Sequence, residues 1–258
     1  MIKICKQNPA VLDALKAGGT VYLNAINYLE HAPDADVITF DGDVSRGVIV
    51  RYDDDEDSHD DEGFYLATHD EEFLTAFWNW LEPGEKFFSG APKQAAEFLM
   101  TLSEPKWKSP CTTHVFDFDA DKSILEEACK SEYEDDFLRI NDLEIVDAHY
   151  TYRDEHSHES IRKSILDRDS SCIRIDGELA AWCLVHVEDG TLGPLYTMEA
   201  HRGKSLGMVV SARLLKKLTQ KGKVPHVHVV HGNEASLQMM KKLPYKYSHD
   251  CIWFGLNK

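Results

Sequence analysis

The chain has 258 residues, 43% of them apolar, and a formal net charge of −17. That is enough for one large domain or two ordinary ones, and no run approaches the roughly 20 apolar residues that a membrane-spanning helix needs. The charge is uneven: residues 1–135 carry 29 acidic against 11 basic side chains, and residues 136–258 carry 16 against 17. This shift divides the sequence into an acidic N-terminal domain (1–135) and a near-neutral second domain (136–258). It argues against a nucleic-acid partner, because phosphate contacts need a basic face, and it assigns any polyanionic ligand to the second domain.

The six cysteines (Cys5, Cys111, Cys129, Cys172, Cys183, Cys251) are scattered and form no Cys-x-x-Cys pair. They read as reduced, mostly buried thiols rather than as a zinc site or disulfide framework. The N-terminus has no signal-peptide pattern, and with Arg46 as its first arginine it has the wrong composition for a mitochondrial transit peptide. A cytoplasmic location is expected, with a mitochondrial one as the alternative.

In chain order, Pro9 to Leu29 reads as helix interrupted at Gly18-Gly19. Val37–Phe40 and Gly47–Tyr52 read as strands of a hairpin around an Asp41-Gly42 turn. Asp53 to Glu62, which contains His59, reads as a solvated acidic loop whose spacing fits no calcium-binding pattern. Phe73, Leu74, Phe77, Trp78 and Leu81 form an apolar stripe at helical spacing, ordinary for a core helix. Ala91 to Leu102 predicts another helix, and Thr113–Phe118 a strand. Residues 119–150 read as a connection, helical over Ile124–Phe137.

The second half is clearer. Glu159–Arg168 predicts a short helix and Ser171–Ile175 a strand closed by an Asp176-Gly177 turn. Glu178–Val187 is apolar on both faces, as in a strand covered on both sides. Glu188-Asp189-Gly190 turns the chain into a strand over Thr191–Thr197. A helix then runs from Leu206 to about Gln220, with Gly222 just past its end. Val224–Val230 reads as a strand, Glu234–Leu243 as a helix stopped by Pro244, and Cys251–Phe254 as a last strand. His226 and His228 share a face of their strand and His231 ends it. No carboxylate or cysteine cluster accompanies them, so they read as structural, and no metal is expected.

Between strand and helix lies His201-Arg202-Gly203-Lys204-Ser205-Leu206-Gly207. A helix start offers free N–H groups and the positive end of the macrodipole, and Arg202 and Lys204 add charge at the same point. This is a site for a phosphate-bearing ligand. The element order, the run Cys172–Leu184, the turn Arg202–Gly207 and Asn233-Glu234-Ala235-Ser236 together resemble the GNAT acyltransferase superfamily. More closely, they look like the glycine N-acyltransferase (GLYAT-like) group. The resemblance covers roughly residues 140–258.

The resemblance implies an α/β (α+β) fold: a GNAT-like mixed, mostly antiparallel central sheet flanked by helices. A second, degenerate GNAT-like domain would occupy the N-terminal half. It implies acyl-CoA as co-substrate and a small amine, glycine or another amino acid, as acceptor. The pyrophosphate would sit on the N–H groups of Gly203, Lys204, Ser205, Leu206 and Gly207, with Arg202 or Lys204 as charge-assisted partners. The pantetheine arm would pair with Leu195, Tyr196 and Thr197, and Asn233 and Ser236 would hydrogen-bond to it. The superfamily motif Arg/Gln-x-x-Gly-x-Gly/Ala reads here as Arg202-x-x-Ser205-x-Gly207. A helix start has negative φ, which serine tolerates, so the turn is expected to keep its shape despite Ser205.

The implied reaction is attack of a neutral amine on the thioester, which needs a base, an oxyanion donor and an acid for the thiolate. The position of the base in the GLYAT-like group falls here on Thr191, and that of the tyrosine acid on Met240. Neither can do the job. Glu188, His201 and Tyr196 are the candidate replacements, with Asp189 and Glu199 nearby. Pro194 marks a bulge or an edge in the strand before the turn. The alternatives to an enzyme are a non-catalytic acyl-CoA-binding module and an acidic protein-interaction protein.

Overall fold

The computed structural model describes residues 1–52 and 61–258, and the predicted acidic loop with His59 lies largely outside them. Its strands and helices follow in chain order: β1 (Ile2–Lys6), α1 (Pro9–Ala17), α2 (Leu23–His31), β2 (Asp36–Phe40), β3 (Val48–Tyr52), β4 (Asp61–Ala67), α3 (Glu71–Trp80), β5 (Glu85–Pro92), α4 (Lys93–Leu102) and β6 (Pro105–Phe116). Next come α5 (Lys122–Ala128), α6 (Leu143–Ala148), α7 (Ser157–Asp167), β7 (Ser170–Ile175), β8 (Glu178–Val185), β9 (Leu192–Thr197), α8 (Leu206–Gln220), β10 (His226–Val230), α9 (Glu234–Met240) and β11 (Tyr245–Asn257). The order helix pair, three-strand meander, helix, strand, helix, strand occurs twice. An eight-strand sheet runs β1-β2-β3-β4-β5-β11-β6-β10, and a three-strand sheet runs β7-β8-β9. The pairs β1–β2, β2–β3, β3–β4, β5–β11, β7–β8 and β8–β9 are antiparallel, and β4–β5 is parallel. The expected mixed, mostly antiparallel sheet flanked by helices is therefore what the chain builds.

The chain gathers into two compact units. The first is Met1–Thr113 with His228–Gly232 and Ser248–Lys258; the second is His114–Val227 with Asn233–Tyr247. In the first unit the predicted hairpin is present, and Asp41 and Gly42 both take positive φ, as its tight turn requires. Asn8 caps α1 by accepting from the Val11 amide, and Gly18 follows its last residue. Three strands here escaped sequence reading: β1, β4 and β5. In β5 the reason is Lys86, which is only 2% exposed and breaks the apolar pattern. Its charge ends a chain of ion pairs with one member on each strand: Lys6 to Asp36, Asp36 to Arg51, Arg51 to Glu62 and Glu62 to Lys86. Asp61 and Glu62, read as loop, begin β4.

Burial in the second unit centres on β8, covered on both faces. Ala181, Cys183 and Val185 join the buried stripe of α8 (Leu206, Val209, Val210, Leu214, Leu215, Leu218), while Trp182 and Leu184 pack with Leu143, Val146, Ile161 and Ile165 of α6 and α7. A register shift opposite Ile173/Arg174 moves Ala180 to the α8 side and Leu179 to the other. The bulge thereby reverses the alternation read from sequence. The predicted helix over Ile124–Phe137 stops at Ala128. Asp136 instead exchanges both backbone hydrogen bonds with Cys172 (3.0 and 2.9 Å), which draws the segment out of helix.

Candidate functional site

β9 is an edge strand, with β8 on one side and no partner on the other among the described residues. The Met198 amide donates to the Ala180 carbonyl at 2.9 Å. Antiparallel alternation from that bond, in the register Trp182↔Tyr196, turns the backbone of Tyr196 inward and that of Leu195 and Thr197 outward. The register shifts between Cys183 and Val185, opposite Gly193-Pro194, so Pro194 sits at an irregularity of an edge strand, where proline is tolerated. The unpaired edge can accept an extended ligand as an added strand.

From Thr197 a short 3₁₀ turn (Glu199–His201) leads into α8. The first intrahelical bond of α8 is Val209 N–H to Ser205 O, at 3.2 Å, so the amides of Leu206, Gly207 and Met208 have no helical acceptor. No side chain caps this end and no acidic residue stands in its first turn. Gly207 packs closely on β9: a Cβ there would lie 3.1 Å from Thr197 Oγ1 and 3.8 Å from the Leu195 side chain. Gly203 has φ +81° with open space beside it.

Ser205 departs from expectation. Its φ is +58° and ψ +16°, in the left-handed region rather than at the negative φ expected of a helix start. A glycine at this position, as in the motif the turn resembles, would meet this backbone demand freely, whereas serine meets it under strain. Leu206 also differs from a simple ligand residue: its side chain is buried in the core, leaving only its amide to the turn. Arg202 and Lys204 are exposed. Arg202 pairs with Glu199 (3.3 Å) and contacts the Tyr196 hydroxyl (3.4 Å), and Lys204 Nζ lies 3.4 Å from His201 Nδ1. His201 thus lies at the α8 end of β9. At about 3.3 Å per strand residue, the four steps from Gly193 to Thr197 alone separate it from the irregularity by roughly 13 Å.

Asn233 and Ser236 meet each other first. Asn233 Oδ1 accepts the Ser236 amide at 3.1 Å as the N-cap of α9, which leaves the Ser236 hydroxyl and Asn233 Nδ2 as the groups a ligand would use. Met240 is buried. Thr191 donates both its amide (2.9 Å) and its hydroxyl (2.7 Å) to the buried Asp189 carboxylate. Asp189 is thereby a turn-forming group, not a solvent-facing acid.

The face of β9 away from α8 holds residues that sequence reading missed. Tyr196 lies with its ring 4.6 Å from His149 and 5.2 Å from Trp182, and the Arg202 guanidinium stands 5.7 Å above it. His149 Nδ1 is 2.8 Å from the Ile145 carbonyl, so it carries the ring proton. His186 follows the last residue of β8, and its Nε2 lies 3.2 Å from where a Gly193 Cβ would stand. Its Nδ1 faces Glu188 Oε2 at 3.9 Å, and the other Glu188 oxygen accepts Ser160 Oγ from α7 at 2.5 Å. The Tyr150 ring is 6.1 Å from His186; burial pushes its phenol well above the usual range, and the Glu188 charge adds to this. His186 was absorbed into a strand predicted to continue to Val187. The only signal for it was its place beside Glu188 before a glycine turn.

Among the described residues no group of three or more His, Cys, Asp or Glu side chains converges as a metal site, and Trp253 Nε1 donates to His228 Nδ1 at 3.0 Å. No helix among them is long and apolar enough to cross a membrane.

The doubled element order, with a broken edge strand and an open helix start in the second copy, defines a class. Three solved structures share the fold along nearly the whole chain. A Drosophila protein superposes with a TM-score of 0.76 at 16% identity, covering 99% of this chain and 98% of its own. A tandem GNAT protein from the clavulanic acid biosynthesis pathway gives 0.61 at 13%, covering 100% and 98%. A GNAT-family acetyltransferase from Colwellia psychrerythraea gives 0.58 at 13%, covering 100% of both chains. The fold is thus the tandem GNAT-like fold of these structures. More narrowly, residues 172–254 match the family model described as FR47-like protein, and this segment contains β8, β9, the 201–207 turn and α8. No curated protein matches the chain.

Proposed function

We propose that residues 136–258 bind acyl-CoA and transfer its acyl group to the amine of a small acceptor. One observation carries this reading: an edge strand with outward-facing backbone at Leu195 and Thr197 leads through the Glu199–His201 turn into an uncapped helix start preceded by Arg202 and Lys204. In this reading the pantetheine amides pair with Leu195 and Thr197. The pyrophosphate takes the amides of Gly203 to Gly207, and Arg202 exchanges Glu199 for a phosphate. Asn233 and Ser236 flank the arm. The resemblance to the GLYAT-like group supports an amino acid, glycine first, as acceptor. The acidic first domain, residues 1–135, supports a cationic amine if glycine fails.

The test is release of free thiol from acetyl-, benzoyl- and phenylacetyl-CoA in the presence of a broad amine panel. Turnover above the uncatalysed rate is expected. The double variant Arg202→Ala/Lys204→Ala should raise the acyl-CoA Kd on the order of tenfold in calorimetry, equivalent to about 1.4 kcal/mol. A wild-type protein that binds acyl-CoA but releases no thiol with any amine would instead establish the second reading, a non-catalytic acyl-CoA-binding module. That reading is favoured by Thr191, which is tied to Asp189, and by the buried Met240. Absence of saturable acyl-CoA binding would reject both and leave an acidic protein-interaction role.

A further inference from the structure

We propose that His186 is the general base of this acyl transfer, with Glu188 and Ser160 as the residues that position it. The inference rests on the acyl-CoA reading above. The irregularity in β9 at Gly193-Pro194 is where the outward-facing edge begins, and Leu195, one residue on, is the first residue whose outward N–H can receive a carbonyl oxygen. Against that point the structure sets a basic atom, His186 Nε2, at 3.2 Å from the Gly193 Cβ position. Any side chain at 193 would occupy this approach, so glycine keeps it open.

Three groups define the ring's state. Glu188 Oε2 faces Nδ1 at 3.9 Å, which favours the tautomer with its proton on Nδ1 and its lone pair on Nε2. Ser160 donates to the other oxygen of Glu188 and fixes that carboxylate from α7. Tyr150 approaches from the segment after α6, in a field to which Tyr152, Asp154, Glu188 and Asp189 all contribute. With its phenol pushed upward, Tyr150 stays neutral at physiological pH and is not the base. Glu188 has one oxygen held by Ser160 and stands behind the imidazole. His201 lies beyond the end of β9 beside Lys204, and the Tyr196 hydroxyl is turned to the Arg202 guanidinium at 3.4 Å.

The step balances without a further reactant. His186 Nε2 takes one proton from the acceptor's ammonium group. The amine nitrogen then attacks the thioester carbonyl carbon, the C–N bond forms and the C–S bond breaks. The departing sulfur takes the second nitrogen proton as free thiol, and His186 returns its proton to solvent.

Thiol release and acyl-CoA calorimetry on the full chain separate the outcomes. His186→Gln should lower kcat by about 100-fold or more, within the 10² to 10⁴ ascribed to a positioned base, and leave the acyl-CoA Kd within twofold. The acid limb of the wild-type pH–rate profile should vanish in this variant. Glu188→Gln should cost roughly tenfold in kcat and leave both KM and the acyl-CoA Kd within twofold, a split that a general loss of packing would not give. His186→Ala, which opens the site, should recover rate with added imidazole. A His186→Gln enzyme with near-normal kcat and an intact acid limb, or His186→Ala without imidazole rescue, would overturn the assignment while leaving the acyl-CoA reading standing. A wild type that neither binds acyl-CoA nor releases thiol would reject the reading itself, and the base with it.

Discussion

The chain contains two strand–turn–helix connections in equivalent places, β4 to α3 and β9 to α8. Their helix starts differ in charge. In the first, Asp70 caps α3 by accepting the Phe73 amide (2.9 Å), Glu71 and Glu72 occupy its first turn, and Arg46 binds Asp70 through two nitrogens (2.6 and 2.8 Å). In the second, no side chain caps α8, no acid stands in its first turn, and Arg202 and Lys204 lie exposed beside it. One positive helix end is satisfied internally; the other is left for an anion. The strand beside the first turn is closed as well. The Tyr52 ring lies across Gly63, where a Cβ would meet it at 2.2 Å, and its hydroxyl bonds to Ser89 on β5. A cleft of about 690 Å³ in the first unit, between α1 and the ends of β3 and β4, includes Arg46, whose charge Asp70 and Glu72 already hold. The same element order thus recurs with its helix start closed by acidic side chains in one copy and left open beside two basic ones in the other.

Four perturbations probe this contrast, in falling order of effect. The first concerns how completely the first unit satisfies its own charges. Glu62→Gln leaves Lys86 buried without its carboxylate and should destabilise the protein by about 3 kcal/mol in urea unfolding, whereas Lys86→Met removes the buried charge and should cost less than about 1 kcal/mol. Equal losses would mean that the ion chain contributes only packing.

Asp70→Ala should cost about 2 kcal/mol through the lost cap and leave acyl-CoA affinity unchanged. Its pH dependence has a definite sign. The hydrogen bonds from Arg46 come first in holding the Asp70 carboxyl below the usual range. The stabilisation is therefore full above the unfolded value of about 4 and lost as pH falls through the lower folded value. Wild type and variant should converge in acid. A gap that widened there would contradict the assignment.

Ser205→Asp imports an acidic cap into the second turn. It should weaken acyl-CoA binding about tenfold, roughly 1.4 kcal/mol, without lowering Tm, because a carboxylate suits a helix start but repels phosphate. Unchanged affinity would remove the turn from the phosphate site. The smallest effect is expected for Ser205→Gly. It relieves the left-handed φ and should raise Tm by about 1–2 °C after glycine's entropic cost. A fall in Tm would show that serine is not strained there.

These contrasts mark how far sequence reading went. The meander, the 201–207 turn and α8 were legible because each signal is local: alternation, a tight turn, an apolar stripe, a glycine after the helix end. In the first half β1, β4 and β5 were not. Lys86 reads as surface until Glu62 is known to meet it, and Asp61 and Glu62 read as loop until paired with β5. The helix drawn through Ile124–Phe137 failed for the same kind of reason, since the partner that pulls Asp136 out of it is Cys172, 36 residues away.

By itself the sequence determined the second half's element order, its two-faced central strand and the positive charge at the start of α8, because propensity and periodicity act over a few residues. The tertiary structure alone decided which edge of β9 stays unpaired, that Ser205 is left-handed, and that His186 rather than His201 meets the irregular strand. Those outcomes depend on register, on a bulge that reverses facing, and on contacts between residues far apart in the chain.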